Sequence, residues 1–479
     1  MLSKDYTTSR FSLKIRSVLL LYFVFLAVAL CGQQDKVVVD KISISGNDHT
    51  KPGVIYRELL FQLGDSIPVD ELSDILKRSK ESLINTRLFT VVDVYFKNWE
   101  AATNKVHIQV DLREGWYIFP VPIFEWVDRN FNVWWVEQQR DLNRINLGMD
   151  FTHTNLSGRR DRLNFQVKYG YVRQYGLKYT FPYLNRAKTL GLSGAIAYQK
   201  KREVNYLTNA NKQLFYAEND EFIYQKFSSL LNLTFRPGHN ITHEWGLSYN
   251  RKFVGSIVYE QLNPMFFANG GGNERAFSAS YSFTYDFRDV VAYPQNGIYF
   301  QAKLTKSGLG LFKDKNILLF AFRHENYFQF ADRWSSGYDF FGKTSLIRTR
   351  PPFENSHIMG SSGTTVPGYE YYILDGLDAV LLKTFFRYKL MDNELRFGKI
   401  MPFESFKIIP FRVYLRASSG WGFANDPFDS GVNTLNQTLL WGGGPAVDII
   451  FFHDIVFRFE YSFNHLGEKG LFLHFKSNL

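Results

Sequence analysis

The sequence predicts an all-β transmembrane 16-stranded antiparallel β-barrel preceded by a small α+β (β-α-α-β-β) domain. The first observation is that long segments after Trp116 alternate apolar and polar residues, with aromatic residues near the segment ends. The second is an aromatic content of 17%. The third is an N-terminal segment typical of secretion signals. These features divide the chain into residues 1–32, 36–114 and 116–479.

Charge and cysteine content exclude several protein classes. The formal net charge is +10, but Lys and Arg are spread among aromatic segments, so membrane surface or lumen charge explains it better than nucleic-acid binding. Cys31 is the one cysteine of the sequence, which rules out an intramolecular disulfide. No histidine lies in a hydrolase or zinc-protease motif, so we expect no enzyme activity, cofactor or metal site.

Residues 1–32 are typical of a signal peptide. Basic residues from Lys4 to Arg16 precede an apolar run, residues 17–30, that is too short to span a membrane comfortably. Cleavage is expected after the Ala27-Val28-Ala29 sequence or beside Cys31. Cys31 is therefore removed, left inert or lipidated, and the bulky Leu30 before it disfavours lipidation.

Residues 36–114 predict a three-stranded sheet covered on one face by two helices, which begin at Pro52 and Pro68. Such a sheet has an uncovered edge strand, and an incoming extended chain can pair with it. The alternative is a plain spacer domain. The candidate edge residues are Val91, Val92, Val94 and Phe96.

The first barrel strand, residues 117–126, contains Pro120 and Pro122. Each proline removes a ladder donor, and both point the same way, so one edge of this strand loses two donors. If this strand closes the barrel against the last one, the seam between them is weak. The alternative is that both prolines precede the first paired residue. The candidate residues on the last strand are Leu471, Leu473 and Phe475.

Residues 360–378 form a segment much too long for a hairpin turn. Its glycines allow tight turns, and its tyrosines combine large area with a polar tip. This composition suits a loop that folds into a cavity, within residues 350–378, although an ordered surface loop is the alternative. The central residues are Val366, Pro367, Gly368, Tyr369 and Glu370.

Four short motifs in the predicted barrel, together with the preceding domain, suggest a family. Their order resembles that of the BamA/TamA-type outer-membrane insertase and two-partner secretion superfamily, in which a POTRA (polypeptide-transport-associated) domain precedes a barrel. The motifs are Asn155-Leu156-Ser157-Gly158, Phe181-Pro182-Tyr183, Asp286-Phe287-Arg288-Asp289 with Pro294 and Gly297, and Val366-Pro367-Gly368-Tyr369.

The resemblance implies a bacterial outer-membrane barrel with its termini in the periplasm. It implies that the sixth extracellular loop folds into the lumen and that the seam between first and last strands opens sideways. The implied partners are the lipid bilayer, unfolded outer-membrane protein clients and accessory periplasmic or lipoprotein subunits. No nucleotide, metal or covalent chemistry is implied, because the client's own folding into the bilayer supplies the energy.

The chain departs from the family pattern in its loop and in the facing wall. The family loop has Arg where this chain has Pro367, and the wall has Asp where it has Ser418. Removing one member of a buried pair costs about 3–5 kcal/mol, whereas removing both can be nearly neutral. We expect the loop to stay in the lumen, held by Gly368, Tyr369 and Glu370. The expected wall residues are Phe385, Arg387, Arg412, Arg416 and Ser418, with Glu370 near Arg412 or Arg416.

Two functions fit this reading. The first is an outer-membrane protein assembly or translocation factor that receives unfolded clients at the POTRA-like domain and inserts them through the weak seam. The second is a structural scaffold barrel that has lost insertase activity and belongs to a larger assembly complex. A simple porin would not need the periplasmic docking domain.

Overall fold

The computed structural model describes residues 35–100, 102–126, 134–135, 139–218, 221–312, 314–361, 363–396, 408–451 and 455–477. The signal-peptide prediction for residues 1–32, including Cys31, lies outside these ranges. Among the residues described, no helix combines the length and apolarity needed to cross a membrane.

The N-terminal domain is a mixed sheet under two helices. The order β2-β1-β4-β3 places β1 parallel to β4 and leaves β3 at an edge. Apolar side chains of both helices fill one core with the inner face of the sheet. The sequence predicted three strands; β2 adds a fourth, because three residues are too few to show a periodic pattern. The elements are β1 Lys36–Ser45, α1 Pro52–Glu58, β2 Ser66–Pro68, α2 Val69–Asn85, β3 Phe89–Glu100 and β4 Lys105–Glu114.

The rest of the described chain is dominated by a 16-stranded antiparallel meander, with short hairpin strands in its extracellular loops. Its spanning strands are β5 Ile118–Trp126, β6 Ile145–His153, β7 Arg162–Gly170, β8 Val172–Phe181, β9 Leu190–Lys201, β12 Tyr224–Phe235, β13 Ile241–Val254, β14 Asn273–Asp286, β15 Gly297–Ser307, β16 Ile317–Ala331, β17 Trp334–Ser345, β20 Asp378–Arg396, β21 Ile408–Asn425, β22 Leu440–Phe451, β23 Ile455–Asn464 and β24 Lys469–Ser477. The loop strands are β10 Glu203–Asn209, β11 Lys212–Ala217, β18 His357–Met359 and β19 Leu374–Asp375.

The two faces of the barrel sheet differ as a membrane requires. Large apolar side chains on the outer face remain exposed, which suits contact with lipid. The inner face carries buried ion pairs such as Lys252 with Glu274, at 3.5 Å. Exposed outer residues include Leu177, Ile196, Leu231, Leu247, Leu304, Leu415 and Leu473.

The N-terminal domain packs against the periplasmic turns of the barrel. The Lys51 N–H donates to the Gly158 carbonyl at 2.9 Å, just before α1. The Arg57 guanidinium donates to the Gly238 carbonyl at 3.1 Å. At the end of α2, the Asn85 amide donates to the Asp289 carbonyl at 3.0 Å. Both helices are therefore held on the barrel by bonds to its backbone.

A buried carboxylate, Glu58, lies at the centre of this contact and is 1% exposed. It accepts hydrogen bonds from Arg236 at 2.8 Å, Arg160 at 3.1 Å and Ser82 at 3.0 Å. Burial alone would raise the pKa of Glu58, but the two guanidinium groups and the hydrogen bonds outweigh it and lower the pKa to about 2. The charged form of Glu58 therefore stabilises the docked domain.

We expect Glu58→Gln to weaken the docking of the N-terminal domain by about 3 kcal/mol, since it leaves two arginines facing a neutral group. The measurement is hydrogen exchange of residues 52–58 in detergent micelles. Because the pKa is lowered, the stabilisation by Glu58 is present above pH about 4.5 and is lost as the pH falls toward 2. The exposed Glu71→Gln is the matched control; equal exchange in both variants would contradict the assignment.

Candidate functional site

The barrel sheet has two terminal strands, β5 and β24. β5 pairs with β6, and β24 pairs with β23. Within the described ranges no ladder joins β5 to β24, so the sheet order ends at these two strands. Leu471 and Leu473 on β24 are exposed on the outer face, and Phe475 continues the strand opposite Phe457.

Pro120 and Pro122 lie inside β5, opposite Phe151 and Met149, and not ahead of the first paired residue. The Tyr117 carbonyl accepts a hydrogen bond from the Thr154 N–H at 2.9 Å. Backbone groups in an antiparallel pair face the neighbouring strand at every second residue. This alternation directs the backbone of both prolines away from β6, toward the seam, where neither can donate a hydrogen bond.

Loop six, residues 346–377, connects β17 to β20 and contains the short pair β18–β19. Val366, Tyr369 and Tyr372 are buried in an apolar cluster with residues of the barrel wall. That cluster also contains Ile358, Met359, Leu374, Ala379, Leu381, Ala424, Leu435 and Leu440. The loop therefore packs against the inner face of β20, β21 and β22.

The hairpin tip between β23 and β24, residues 464–468, binds loop six directly. The Asn464 side chain donates to the Gly368 carbonyl at 2.7 Å. The Tyr369 hydroxyl is paired with His465, and the Tyr372 hydroxyl donates to Glu468 at 2.7 Å. Sequence reasoning missed these three partners, which lie about a hundred positions away and show no periodic signal.

Glycines of the barrel wall allow loop six to approach the wall backbone closely; this contact is called the seat of loop six. A Cβ at Gly420 would lie 2.5 Å from Pro367 Cδ, and a Cβ at Gly442 would lie 2.1 Å from the Pro367 carbonyl oxygen. Gly368 has φ +84°, a conformation that favours glycine. The run Gly442-Gly443-Gly444 was the available sequence signal, since glycine within a strand often marks a close backbone approach.

The residues predicted to line the wall beside loop six have partners elsewhere in the barrel. Ser418 donates to the Gly444 carbonyl at 3.3 Å and is also bonded to Glu460. Arg412 lies 3.9 Å from Asp392. Arg416 lies 3.8 Å from Asp448. The expected proximity of Glu370 to Arg412 or Arg416 stays a prediction.

The periplasmic turn after β14, residues 287–296, explains this arrangement. Its Tyr293 is buried and donates to Asp448 at 2.7 Å. Arg387 lies over the Tyr293 ring at 4.5 Å and donates to the Pro294 carbonyl at 2.6 Å. Phe385 packs beneath the Arg416 guanidinium at 4.0 Å. This turn thus occupies the wall below Ser418, and loop six contacts the wall above it.

The edge strand β3 of the N-terminal domain alternates between exposed and core-facing residues. Val91 and Phe96 are exposed, as are the neighbouring aromatic residues Tyr95 and Trp99. Val92 is buried, and Val94 packs partly against the core.

Among all the residues that the structure describes, no three His, Cys, Asp or Glu side chains gather closely enough to bind a metal ion.

We expect Gly442→Ala to displace loop six, because its new methyl group would overlap the Pro367 carbonyl. The measurement is hydrogen exchange of residues 364–372, with an expected increase of about tenfold or more, equivalent to about 1.4 kcal/mol. Gly194→Ala is the control, since a Cβ there meets no atom within 4 Å. Unchanged exchange in Gly442→Ala would contradict the proposed seat.

Sequence and structure comparisons agree with this architecture. The model for the Omp85 superfamily domain matches residues 155–381, and the POTRA model, described as surface antigen variable number repeat, matches residues 37–115. No curated protein matches the chain.

Solved structures similar to the chain include three that each cover 92% of it. CdiB from Escherichia coli is 10% identical, with 75% of that chain covered and a TM-score of 0.53. BamA from Haemophilus ducreyi lacking POTRA domains 1–3 is 15% identical, with 83% covered and a TM-score of 0.49. CdiB from Acinetobacter baumannii is 12% identical, with 73% covered and a TM-score of 0.49. The chain therefore contains an Omp85 superfamily domain preceded by a POTRA domain, as a bacterial outer-membrane barrel with this POTRA domain in the periplasm.

Proposed function

We propose that this protein assembles outer-membrane proteins, receiving unfolded clients at the POTRA domain and inserting them through the seam between β5 and β24. The observation that carries the proposal is the seam itself. Each of its strands pairs on one side among the described residues, and β5 presents two prolines to the gap. A client strand can use the free backbone groups of such an edge.

The filled lumen favours sideways insertion over passage through the barrel. On the periplasmic side, Tyr293 is buried against Tyr414 and Asp448. On the extracellular side, the tip of the β10–β11 hairpin is bonded to loop six and to the loop after β21. There the buried Asn211 accepts from the Ile373 N–H at 2.9 Å, and its own N–H donates to Asn433 at 2.9 Å. A chain crossing the lumen would have to displace both contacts, whereas the seam needs neither to move.

The exposed side of the POTRA edge strand supplies the first contact with a client. Val91, Tyr95, Phe96 and Trp99 are exposed on β3, which has a partner, β4, on one side. Backbone pairing gives affinity for any extended chain, and the aromatic side chains favour apolar client residues. This selection suits barrel strands, which alternate apolar and polar residues.

A scaffold barrel without insertase activity is the second candidate. It is favoured by the close packing of loop six, because Pro367 lies against Gly420 and Gly442. This contact replaces the Arg and Asp that the family resemblance implies at the positions of Pro367 and Ser418. In such a subunit the seam would bind one partner permanently. The two candidates therefore differ in how long, and with how many proteins, the seam makes contact.

Photocrosslinking in growing cells separates these candidates. Probes are placed singly from residue 117 to 125 and from 470 to 475, with a probe at the lipid-facing Leu177 as control. We expect short-lived adducts to many newly made barrel proteins at the seam and none at Leu177. One stable adduct that persists after protein synthesis stops would establish the scaffold. Adducts only between β5 and β24 would contradict a working seam.

Restoring the missing donors tests the role of the prolines. We expect Pro120→Thr/Pro122→Thr to strengthen closure against β24, because two added hydrogen bonds contribute about 1 kcal/mol each. Client insertion into vesicles should slow by up to about 30-fold, while the thermal stability of the empty barrel rises. Val121→Thr is the control, since its backbone faces β6. Equal insertion rates in all three proteins would contradict the assignment.

A further inference from the structure

We propose that the outer face of the barrel carries a binding site for a doubly phosphorylated glycolipid headgroup of the lipid A type, at the extracellular ends of β8, β9, β13 and β14. Two pairs of cations define this site, Arg173 with Lys200 and Arg251 with Arg275. Each pair joins directly opposite positions of adjacent antiparallel strands. The site is independent of the seam and of client handling.

The strand pattern places these four side chains on the lipid-facing surface. Arg173 lies two residues before the exposed Tyr175, and Arg251 two residues before the exposed Phe253. Residues two apart share one face of a strand. Because the POTRA domain precedes β5 on the periplasmic side, the Arg173 end of β8 and the Arg251 end of β13 lie at the extracellular side.

Like charges directly opposite each other destabilise a sheet. The two lateral rows of outward residues that contain these cations have no carboxylate: they are Arg173, Lys200, Gln225, Phe253 and Asn273, and Tyr175, Tyr198, Phe227, Arg251 and Arg275. The Arg251 side chain forms no hydrogen bond or ion pair with any residue that the structure describes. The nearby Glu274 faces the lumen, where it binds Lys252 and Lys315. An external anion would offset the repulsion in both pairs.

Aromatic rings lie against three of the four cations. Arg173 lies over Tyr169 at 4.4 Å and over Phe222 at 4.7 Å. Lys200 lies 5.8 Å from the Phe222 ring, and Arg275 lies over Phe312 at 5.0 Å. Stacking occupies the face of a guanidinium, whereas phosphate binds its N–H edge, so the two interactions are compatible.

The spacing of the two pairs suits one ligand with two phosphates. Lys200 and Arg251 lie on strands separated by β12, and two strand spacings amount to about 10 Å. A disaccharide that carries a phosphate at each end can reach both pairs, while its acyl chains lie along the exposed Tyr175, Ile196 and Leu231 below them. A headgroup with one phosphate can neutralise one pair at a time.

The test uses the full-length barrel in detergent micelles and native mass spectrometry with diphosphoryl lipid A. We expect Arg251→Gln/Arg275→Gln and Arg173→Gln/Lys200→Gln each to weaken binding at least tenfold. The control Lys178→Gln/Lys303→Gln removes the same charge from the lumen-facing side and should bind like the unmodified protein. Equal loss in all three variants, or in none, would overturn the proposal.

Further probes identify the source of the phosphate. Monophosphoryl lipid A should bind more weakly than the diphosphoryl form, and phosphatidylglycerol more weakly still. Competition by millimolar inorganic phosphate alone would point to a free-phosphate site and overturn the glycolipid assignment. So would equal affinity for phosphatidylglycerol.

Thermal unfolding gives a second readout that does not depend on detecting the lipid. Without lipid A, Arg251→Gln/Arg275→Gln should unfold at the same or a higher temperature than the unmodified protein, because a repulsion is removed. With lipid A, the unmodified protein should gain more stability than this variant. A variant that is less stable without lipid A, and gains as much with it, would contradict the site.

Discussion

In the core of a bilayer, each backbone N–H and C=O must find its partner within the protein. This constraint favours closure of the meander between β5 and β24 and makes any unpaired edge costly. The two prolines of β5 weaken closure, because they lack the N–H groups that the β5 edge would need to pair with β24. Fourteen other spanning strands are paired on both sides among the described residues, so the cost is confined to one seam.

The rest of the molecule stiffens the barrel away from that seam. Loop six and the Tyr293 turn pack on β20, β21 and β22 from opposite ends of the lumen. Asp448 is fully buried, yet it accepts bonds from Tyr293 at 2.7 Å and from Arg458 at 2.7 Å. The buried charge of Asp448 is therefore neutralised between the wall strands and the turn, while the loop motif relies on close contact with wall glycines and on hydroxyl hydrogen bonds.

Local patterns in the sequence were sufficient to predict the strands and the POTRA helices, because side-chain periods report the two faces of each element. They were insufficient for contacts between distant segments. The direction in which residues 287–296 fold depends on Arg387 and Asp448, and nothing near Tyr293 in sequence encodes it. For the same reason, Arg416 and Arg387 were assigned to the loop although the turn occupies their side of the lumen.

The bonds between loop six and residues 464–468 connect the cell exterior to the seam. Those residues join β23 to β24, so a displacement of β24 also moves the partners of Gly368, Tyr369 and Tyr372. The converse holds by linkage. If an antibody or phage protein binds one position of loop six more tightly than another, it changes the free energy of moving β24 by that difference in binding free energy. Recognition at the cell surface and movement of the seam are thus coupled through the same hairpin tip.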